Sequence, residues 1–444
     1  MISLYRHQEL ALNYLRFSKA FLLNMEQGTG KTLPTIVRIM ELLLFNEIKT
    51  GLIVCPKAII ASWKRDVEKF TYKQQKMFWE HVTIINYERV WRSKDLPKQF
   101  DLIVLDEAHC IKNRTSKRAS FLLDLAVGAT YRYLLTGTPV SNGQLENLWS
   151  LFTFLYPYKK GRTTCSELFK RFDGGNGTYT EFLTKYCYLD RYHKPYKYKN
   201  VERLQDMLKS VSYRIKKNQC LDLPEKLPDE IYELELPEKK LYKDIAKTSA
   251  SLEFDFVADN PLVKLTKLRQ IASGFFINND GEVIKQPCEK QHALREFLEG
   301  FNRKLVIFAE YKQSITDICE ILAKMNLKYV VLNGEQKNKE IWRDFQNEPT
   351  IRVIVCQYVS GSAGIDLFSS DTILFYEPTL RSNILEQARD RIHRNGQKQA
   401  CSYIHFITKG TVETAIYKAL RGYSDFNEKL FTQYITDYTK VNRK

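Results

Sequence analysis

The stretch Met25-Glu26-Gln27-Gly28-Thr29-Gly30-Lys31-Thr32 has the residue types of a phosphate-binding loop. Gly28 and Gly30 remove side chains where a backbone must curl round an anion, and Thr29 lies between them. Lys31 supplies a point charge for β and γ phosphates, and Thr32 offers a hydroxyl to magnesium. Phe21-Leu22-Leu23 before the loop reads as a short buried strand, and Thr35 to Met40 after it as a helix. That order sets phosphates at a helix N-terminus, where the dipole and free N–H groups favour negative charge. Pro34 suits a first helical turn, which needs no N–H from it. Met25 stands where the first of the outer glycines is usual, so the match is GxGKT and not the full GxxxxGKT.

A second constellation is Asp101-Leu102-Ile103-Val104-Leu105-Asp106-Glu107-Ala108-His109. Four successive apolar residues predict a strand buried on both faces, as in a parallel sheet. It ends in two carboxylates at the sheet edge where α/β ligand sites lie. Asp106 there can hold magnesium through water, and Glu107 can orient and deprotonate an attacking water. His109 either senses a γ-phosphate or caps the loop. Upstream, Gln8 sits on an amphipathic helix with Leu10, Leu12 and Leu15. A glutamine amide can meet N6 and N7 of adenine together; the other reading of Gln8 is a solvated helix position.

The elements that must position these groups follow the rhythm of an α/β fold. Leu52 to Lys57 and Val82 to Tyr87 predict strands, the first stopping at Pro56. Tyr131 to Leu135 predicts another, ending in Thr136-Gly137-Thr138-Pro139. That loop either couples nucleotide state to a neighbouring surface or is an ordinary turn. Further strands are expected at 305–308, 329–332, 353–356, 372–375 and 403–406. Ser360 to Asp366 is a small-residue loop suited to ribose or phosphate-backbone contact. Arg391 and Arg394 are expected on one helical face, where guanidinium geometry matches phosphate oxygens.

The chain has 444 residues, 44% of them hydrophobic, a length suited to about three domains. Its formal net charge of +16 suits a polyanionic partner, with nucleic acid the leading candidate. The nine cysteines are scattered, without a C-x-x-C pair or zinc spacing, so free thiols in a reducing compartment and no structural metal are expected. No secretion signal is recognisable, and no apolar run approaches the ~20 residues that cross a bilayer. A soluble intracellular protein without a membrane partner is expected.

Taken in order, these motifs resemble superfamily-two helicases, and within them the SWI/SNF-type DNA-dependent ATPases. The first half carries Gln8, Gly28 to Thr32, Asp106-Glu107-Ala108-His109 and Thr136 to Pro139. The second carries Ser360-Gly361-Ser362-Ala363-Gly364-Ile365-Asp366-Leu367 and then Gln387-Ala388-Arg389-Asp390-Arg391-Ile392-His393-Arg394-Asn395-Gly396-Gln397. The last string is the most specific single signal. The resemblance spans nearly the whole chain, most loosely at residues 156–285. It implies an α/β protein of two RecA-like parallel-sheet lobes with a helical insertion between them: lobe one at 1–155, the insertion and lobe crossing at 156–285, and lobe two with a C-terminal tail at 286–444.

The resemblance also implies ATP with magnesium between the lobes. Lys31, Asp106, Glu107, Arg391 and Arg394 are the catalytic candidates, and Gln8, Gly28, Thr29, Gly30, Lys31, Thr32, Gly364, Asp366 and Gln387 the nucleotide contacts. Thr32 and Asp106 would hold magnesium. Lys57, Thr136 and Ser360 are candidate nucleic-acid contacts. Met25 and Gln27 depart from the family, which usually has an acid and Met there; the expected effect is a tuned nucleotide affinity. The expected partner is double-stranded and branched DNA, bound by a monomer in the cytoplasm or nucleoid, or in a host cytoplasm if the gene is viral. The expected task is fork regression, branch migration or unwinding, with displacement of proteins from duplex DNA as the alternative and RNA unwinding a third. The tail from Tyr423 to Lys444 is expected to pack across the lobes.

One stretch stands outside these motifs. Between Lys185 and Lys199, tyrosines 186, 188, 192, 196 and 198 are interleaved with Arg191, Lys194, Lys197 and Lys199. Neither a helical stripe nor a long alternation runs through it, and Pro195 interrupts it. Either Tyr192, Tyr196 and Tyr198 stack on unpaired bases, or the tyrosines pack on neighbouring helices.

Overall fold

Alternate residues of the Leu102–Asp106 strand enter different cores, which accounts for the architecture of the first half. Leu102 and Val104 pack with Ile36, Ile39 and Trp63, whereas Ile103 and Leu105 pack with Leu122, Leu151 and Phe154. A strand with period-two side chains and apolar residues at both parities must be covered on both faces. In this computed structural model all residues are described except 1–2, 141–142, 252–255, 258–259, 337, 339, 362–363 and 442–444. The chain divides into two compact units, Met1–Asp222 and Leu223–Lys444.

The first unit is built on a six-stranded sheet in the order Ser212–Ile215, Ala20–Met25, Tyr131–Leu135, Leu102–Asp106, Gly51–Cys55, Val82–Asn86. All its pairings are parallel, so every strand presents its carboxyl end to the same edge. The phosphate loop, the Asp106–Glu107 pair and the Thr136 loop all leave from that edge, because each follows a strand directly.

The second unit repeats the plan. Its sheet runs Glu230–Leu234, Ser402–Thr408, Thr372–Phe375, Leu305–Ala309, Val353–Gln357, Tyr329–Leu332, again wholly parallel. Val306 and Phe308 face one core, and Leu305, Ile307 and Ala309 the other. The five strands expected here are all present. The edge strand Glu230–Leu234 was not expected, nor was Ser212–Ile215 in the first unit.

Residues 156–285 divide between the units. Up to Asp222 they belong to the first, as helices, two β-hairpins (Pro157–Lys160 with Thr163–Ser166, and Cys187–Leu189 with Pro195–Tyr198) and an edge strand of the main sheet. From Leu223 they belong to the second. The tail forms a helix, Glu428–Val441, whose Phe431, Tyr434 and Tyr438 pack into the second unit's own core; the end of the tail, 442–444, lies outside the described residues.

Candidate active site

The Ala20–Met25 strand is buried throughout and delivers the chain to the loop Glu26–Lys31, after which the 13-residue helix Thr32–Leu44 begins. Gly28 and Gly30 take φ of 80° and 76°, the left-handed region that side chains resist. Thr29 closes the turn by donating its hydroxyl to Glu26 O (2.7 Å). The loop is buckled from behind by the helix Arg6–Phe17: His7 Nε2 donates to Thr29 O (2.8 Å) and Gln8 Nε2 to Gly30 O (3.0 Å). Gln8 Oε1 accepts from Tyr5 N (3.0 Å), so both ends of that amide are engaged within the chain. To contact adenine the amide would have to leave Gly30. Lys31 is buried, and its ammonium donates to Met25 O at 2.9 Å, lying across the loop.

The acidic pair stands beside this loop. Asp106 Oδ2 accepts from Trp63 Nε1 (2.8 Å), and Oδ1 accepts from Glu107 N (2.9 Å). Tyr87 donates its hydroxyl to Asp106 O (2.9 Å). Burial, with the neighbouring Glu107 carboxylate adding to it, pushes the Asp106 carboxyl up to about 6, while Lys31 and Trp63 pull the other way. Glu107 has a left-handed φ of 53°, a conformation costly for a residue with a Cβ and typical of functional turns. Gln27 Nε2 donates to its Oε1 at 3.3 Å, and His109 Nδ1 lies 3.3 Å from Oε2 without a hydrogen bond between them. The phosphate loop and the acidic pair are therefore joined directly through Gln27.

The Thr136 loop closes over the same place. Thr136 is fully buried, and its hydroxyl accepts from Thr138 N at 3.2 Å. A Cβ on Gly137 would lie 3.0 Å from Met25 O and 3.2 Å from Glu26 Cα, so the two loops touch backbone to backbone. The Thr136 side chain is therefore enclosed, whereas Thr138 of the same loop is exposed. Lys57 opens a short turn after Pro56 and is exposed.

The donors around the loop suit a nucleotide with its metal. The glycines leave the cradle free of side chains, the loop ends in a helix N-terminus, and Thr32 and Asp106 are hard oxygen donors of the kind magnesium takes. Among the described residues no cluster of three His, Cys, Asp or Glu side chains is placed to hold a metal ion.

In the second unit, Arg391 and Arg394 do not share a helical face. The helix ends at Arg389, and the chain continues through turns. The two guanidiniums converge instead on one acceptor, Ile365 O, at 3.2 and 2.7 Å. Arg391 Nε also donates to Gln387 O (2.9 Å), and Arg394 pairs with Asp366. Arg391, Arg394, Asp366 and the backbone of Gln387 thus form one cluster with the loop at Gly364, whose φ is 73°. Ser360 lies in a short helix, Tyr358–Gly361, and not in a loop; Ser362 and Ala363 of that motif lie outside the described residues. The string is anchored behind by His393 Nε2, which donates to Pro224 O at 2.9 Å, and by Asp390, 3.2 Å from Lys226.

Of the tyrosines singled out for nucleic acid, Tyr192 and Tyr196 are exposed, while Tyr198 is half-buried with its hydroxyl on Glu146. Sequence reasoning missed Trp63, His7, Tyr87 and the Gln27 contact. Only Gln27 carried a signal, as a departure from the family pattern.

A parallel sheet ending in a glycine-curled loop tied to a carboxylate pair defines an α/β nucleotide-hydrolase site. The SNF2-related domain model matches residues 5–274, and the helicase conserved C-terminal domain matches 289–396. The chain belongs to the SNF2-related family, among the ATP-dependent helicase-type enzymes built from two RecA-like lobes. It is 26% identical over 420 residues to an uncharacterized ATP-dependent helicase of Mycoplasma pneumoniae, covering 88% of this chain and 38% of that protein. It is 27% identical to the mouse SWI/SNF-related matrix-associated actin-dependent regulator of chromatin subfamily A member 1, covering 88% and 39%. The chain thus spans well under half the length of these relatives. The Sulfolobus solfataricus SWI2/SNF2 ATPase core in complex with dsDNA is similar at 24% identity and a TM-score of 0.44, over 98% of this chain and 93% of that one. Among the described residues no helix is long and apolar enough to cross a membrane.

Proposed function

We propose that this chain hydrolyses ATP with magnesium to move along double-stranded DNA and to remodel branched DNA, by fork regression, branch migration or unwinding, as a monomer inside the cell. The observation that carries the hydrolytic part is the hydrogen bond between Gln27 and Glu107, which joins a phosphate cradle to the carboxylate that would handle water. In this reading Gly28 to Thr32 hold the phosphates and Lys31 exchanges Met25 O for them. Thr32 and Asp106 would hold the cation, which would supply Lewis-acid stabilisation of phosphate charge. Glu107 orients the attacking water and takes its proton. Arg391 and Arg394 are the cations this reading assigns to the phosphate charge that develops in hydrolysis, and Gly364, Asp366 and Gln387 are its further nucleotide contacts. Lys57 and Ser360 take DNA phosphates, and the two compact units, Met1–Asp222 and Leu223–Lys444, serve as the motor lobes.

The net charge of +16 supports a polyanionic track. The chromatin regulator among the relatives favours a second reading, a motor that displaces or repositions proteins on duplex DNA. ATP turnover measured with blunt duplex, forked duplex and structured RNA separates them. The branched-DNA reading expects the largest stimulation by the fork. Equal stimulation by blunt and forked duplex favours the displacement motor, and stimulation by RNA alone overturns both.

A further inference from the structure

The hairpin Cys187–Leu189/Pro195–Tyr198 of the first unit carries chemistry that hydrolysis does not use. Its root is fixed. Tyr186 and Cys187 lie in the hydrophobic core, Lys199 N donates to Tyr186 O (2.9 Å), and the Tyr198 hydroxyl is held by Glu146. Its outer part is not buried: Tyr188, Tyr192 and Tyr196 are 44%, 65% and 68% exposed. The rings of Tyr188 and Tyr196 lie 6.4 Å apart, inclined at 45°.

The connecting turn is held rigid. Asp190 Oδ1 accepts from Tyr192 N (2.8 Å) and Lys194 N (2.9 Å), and Asp190 N donates to Lys194 O (2.9 Å). Tyr192 is therefore presented on an ordered tip. Cations frame the rings: Lys199 Nζ is 5.1 Å and Lys197 Nζ 5.9 Å from the Tyr188 ring, and Arg191 is 4.8 Å from the Tyr192 ring.

We propose that this hairpin binds unpaired nucleotides, with bases stacked on Tyr192 and on the Tyr188–Tyr196 pair and phosphates held by Arg191, Lys194, Lys197 and Lys199. A paired duplex would engage the cations but offers no free base face to the rings. An acidic peptide would likewise leave the rings unexplained. Interleaved aromatic faces and cations are the combination that single strands need. The proposal rests on the DNA-motor reading and deepens it: the substrate feature recognised is a junction where bases have come out of the helix.

The test reads binding to the full chain without nucleotide, using a labelled oligothymidine and a blunt duplex of equal length. Changing Tyr192 and Tyr196 to serine leaves every charge in place and should weaken oligothymidine binding by about tenfold or more, with duplex affinity changed by less than about twofold. Changing the same two residues to phenylalanine keeps the stacking faces and should restore oligothymidine binding. Equal weakening on both probes, no weakening, failure of the phenylalanine variant, or a lowered unfolding temperature accompanying the loss would each overturn the proposal. Because binding is read without ATP, a chain that lacks ATPase activity would remove the motor reading and leave this result standing.

Discussion

Gln27 donates its side-chain amide to the Glu107 carboxylate across 3.3 Å, binding a phosphate-loop residue to the carboxylate that follows the strand Leu102–Asp106. Glu107 holds a left-handed backbone at this point, so its side chain depends on such contacts for its direction. Gln27→Leu removes the donor and keeps the bulk. A hydrogen bond to a charged group contributes about 1.5 kcal/mol, which corresponds to about tenfold in rate. The expected outcome is a kcat lowered by about tenfold with ATP affinity little changed. Unchanged kcat in steady-state turnover would mean that Gln27 does not position Glu107.

Gly30 is constrained twice, by its φ of 76° and by Gln8, whose Nε2 would lie 2.3 Å from an added Cβ. Gly30→Ala should cost about 1–2 kcal/mol from the left-handed backbone alone, with further loss from displacing Gln8. In a Gln8→Ala background only the backbone cost should remain. Denaturant unfolding of the four chains checks this, and identical losses in both backgrounds would show that Gln8 does not press on the loop.

Arg394→Ala should leave ATP affinity nearly unchanged and slow hydrolysis, since arginine fingers in phosphoryl transfer contribute roughly 10³–10⁵ in rate. The pairing with Asp366 and the shared acceptor Ile365 O fix the direction of the guanidinium within the second unit. A loss of less than about tenfold in single-turnover hydrolysis would move the role to Arg391 or remove it from both.

His405 gives the second unit an acid sensitivity. Burial, reinforced by the Arg389 charge, pushes its ring down to about 3. The Asp229 carboxylate lies 3.4 Å from Nε2 but is already paired with Arg389. The folded ring therefore stays neutral where the unfolded one takes a proton, below about pH 6.5. Stability from this residue is fully present above that pH and is lost as pH falls, by up to about 1.4 kcal/mol per unit. His405→Phe should flatten the dependence of unfolding free energy between about pH 6.5 and about pH 4.5. An unchanged slope would show that the ring titrates normally in the folded chain.

The chemistry-bearing loops were legible in the sequence because glycine, lysine and paired carboxylates at fixed spacing admit few other uses, and the central strands because runs such as Leu102-Ile103-Val104-Leu105 suit only a doubly covered sheet. The edge strands were not. Ser212–Ile215 and Glu230–Leu234 are half-polar, since an edge faces solvent, and alternation over four or five residues is a weak signal. Arg391 and Arg394 were misplaced because the helical spacing continues through Asp390 although the helix stops at Arg389. Gln8 offered an amide whose partners, Gly30 O and Tyr5 N, only the tertiary structure supplies. The tyrosine-rich hairpin hid its strands behind the five-residue turn at 190–194 and a register shift at Tyr188–Leu189.

The central claim, that the loop and the carboxylate pair form one hydrolytic site, is tested most directly by nucleotide affinity and ATP turnover of Glu107→Gln, measured beside Lys31→Ala in the presence of duplex DNA. Lys31→Ala should lose both affinity and turnover. Glu107→Gln should bind ATP as the unaltered chain does while turnover falls by about 10²–10⁴. Near-native turnover in Glu107→Gln would contradict the account.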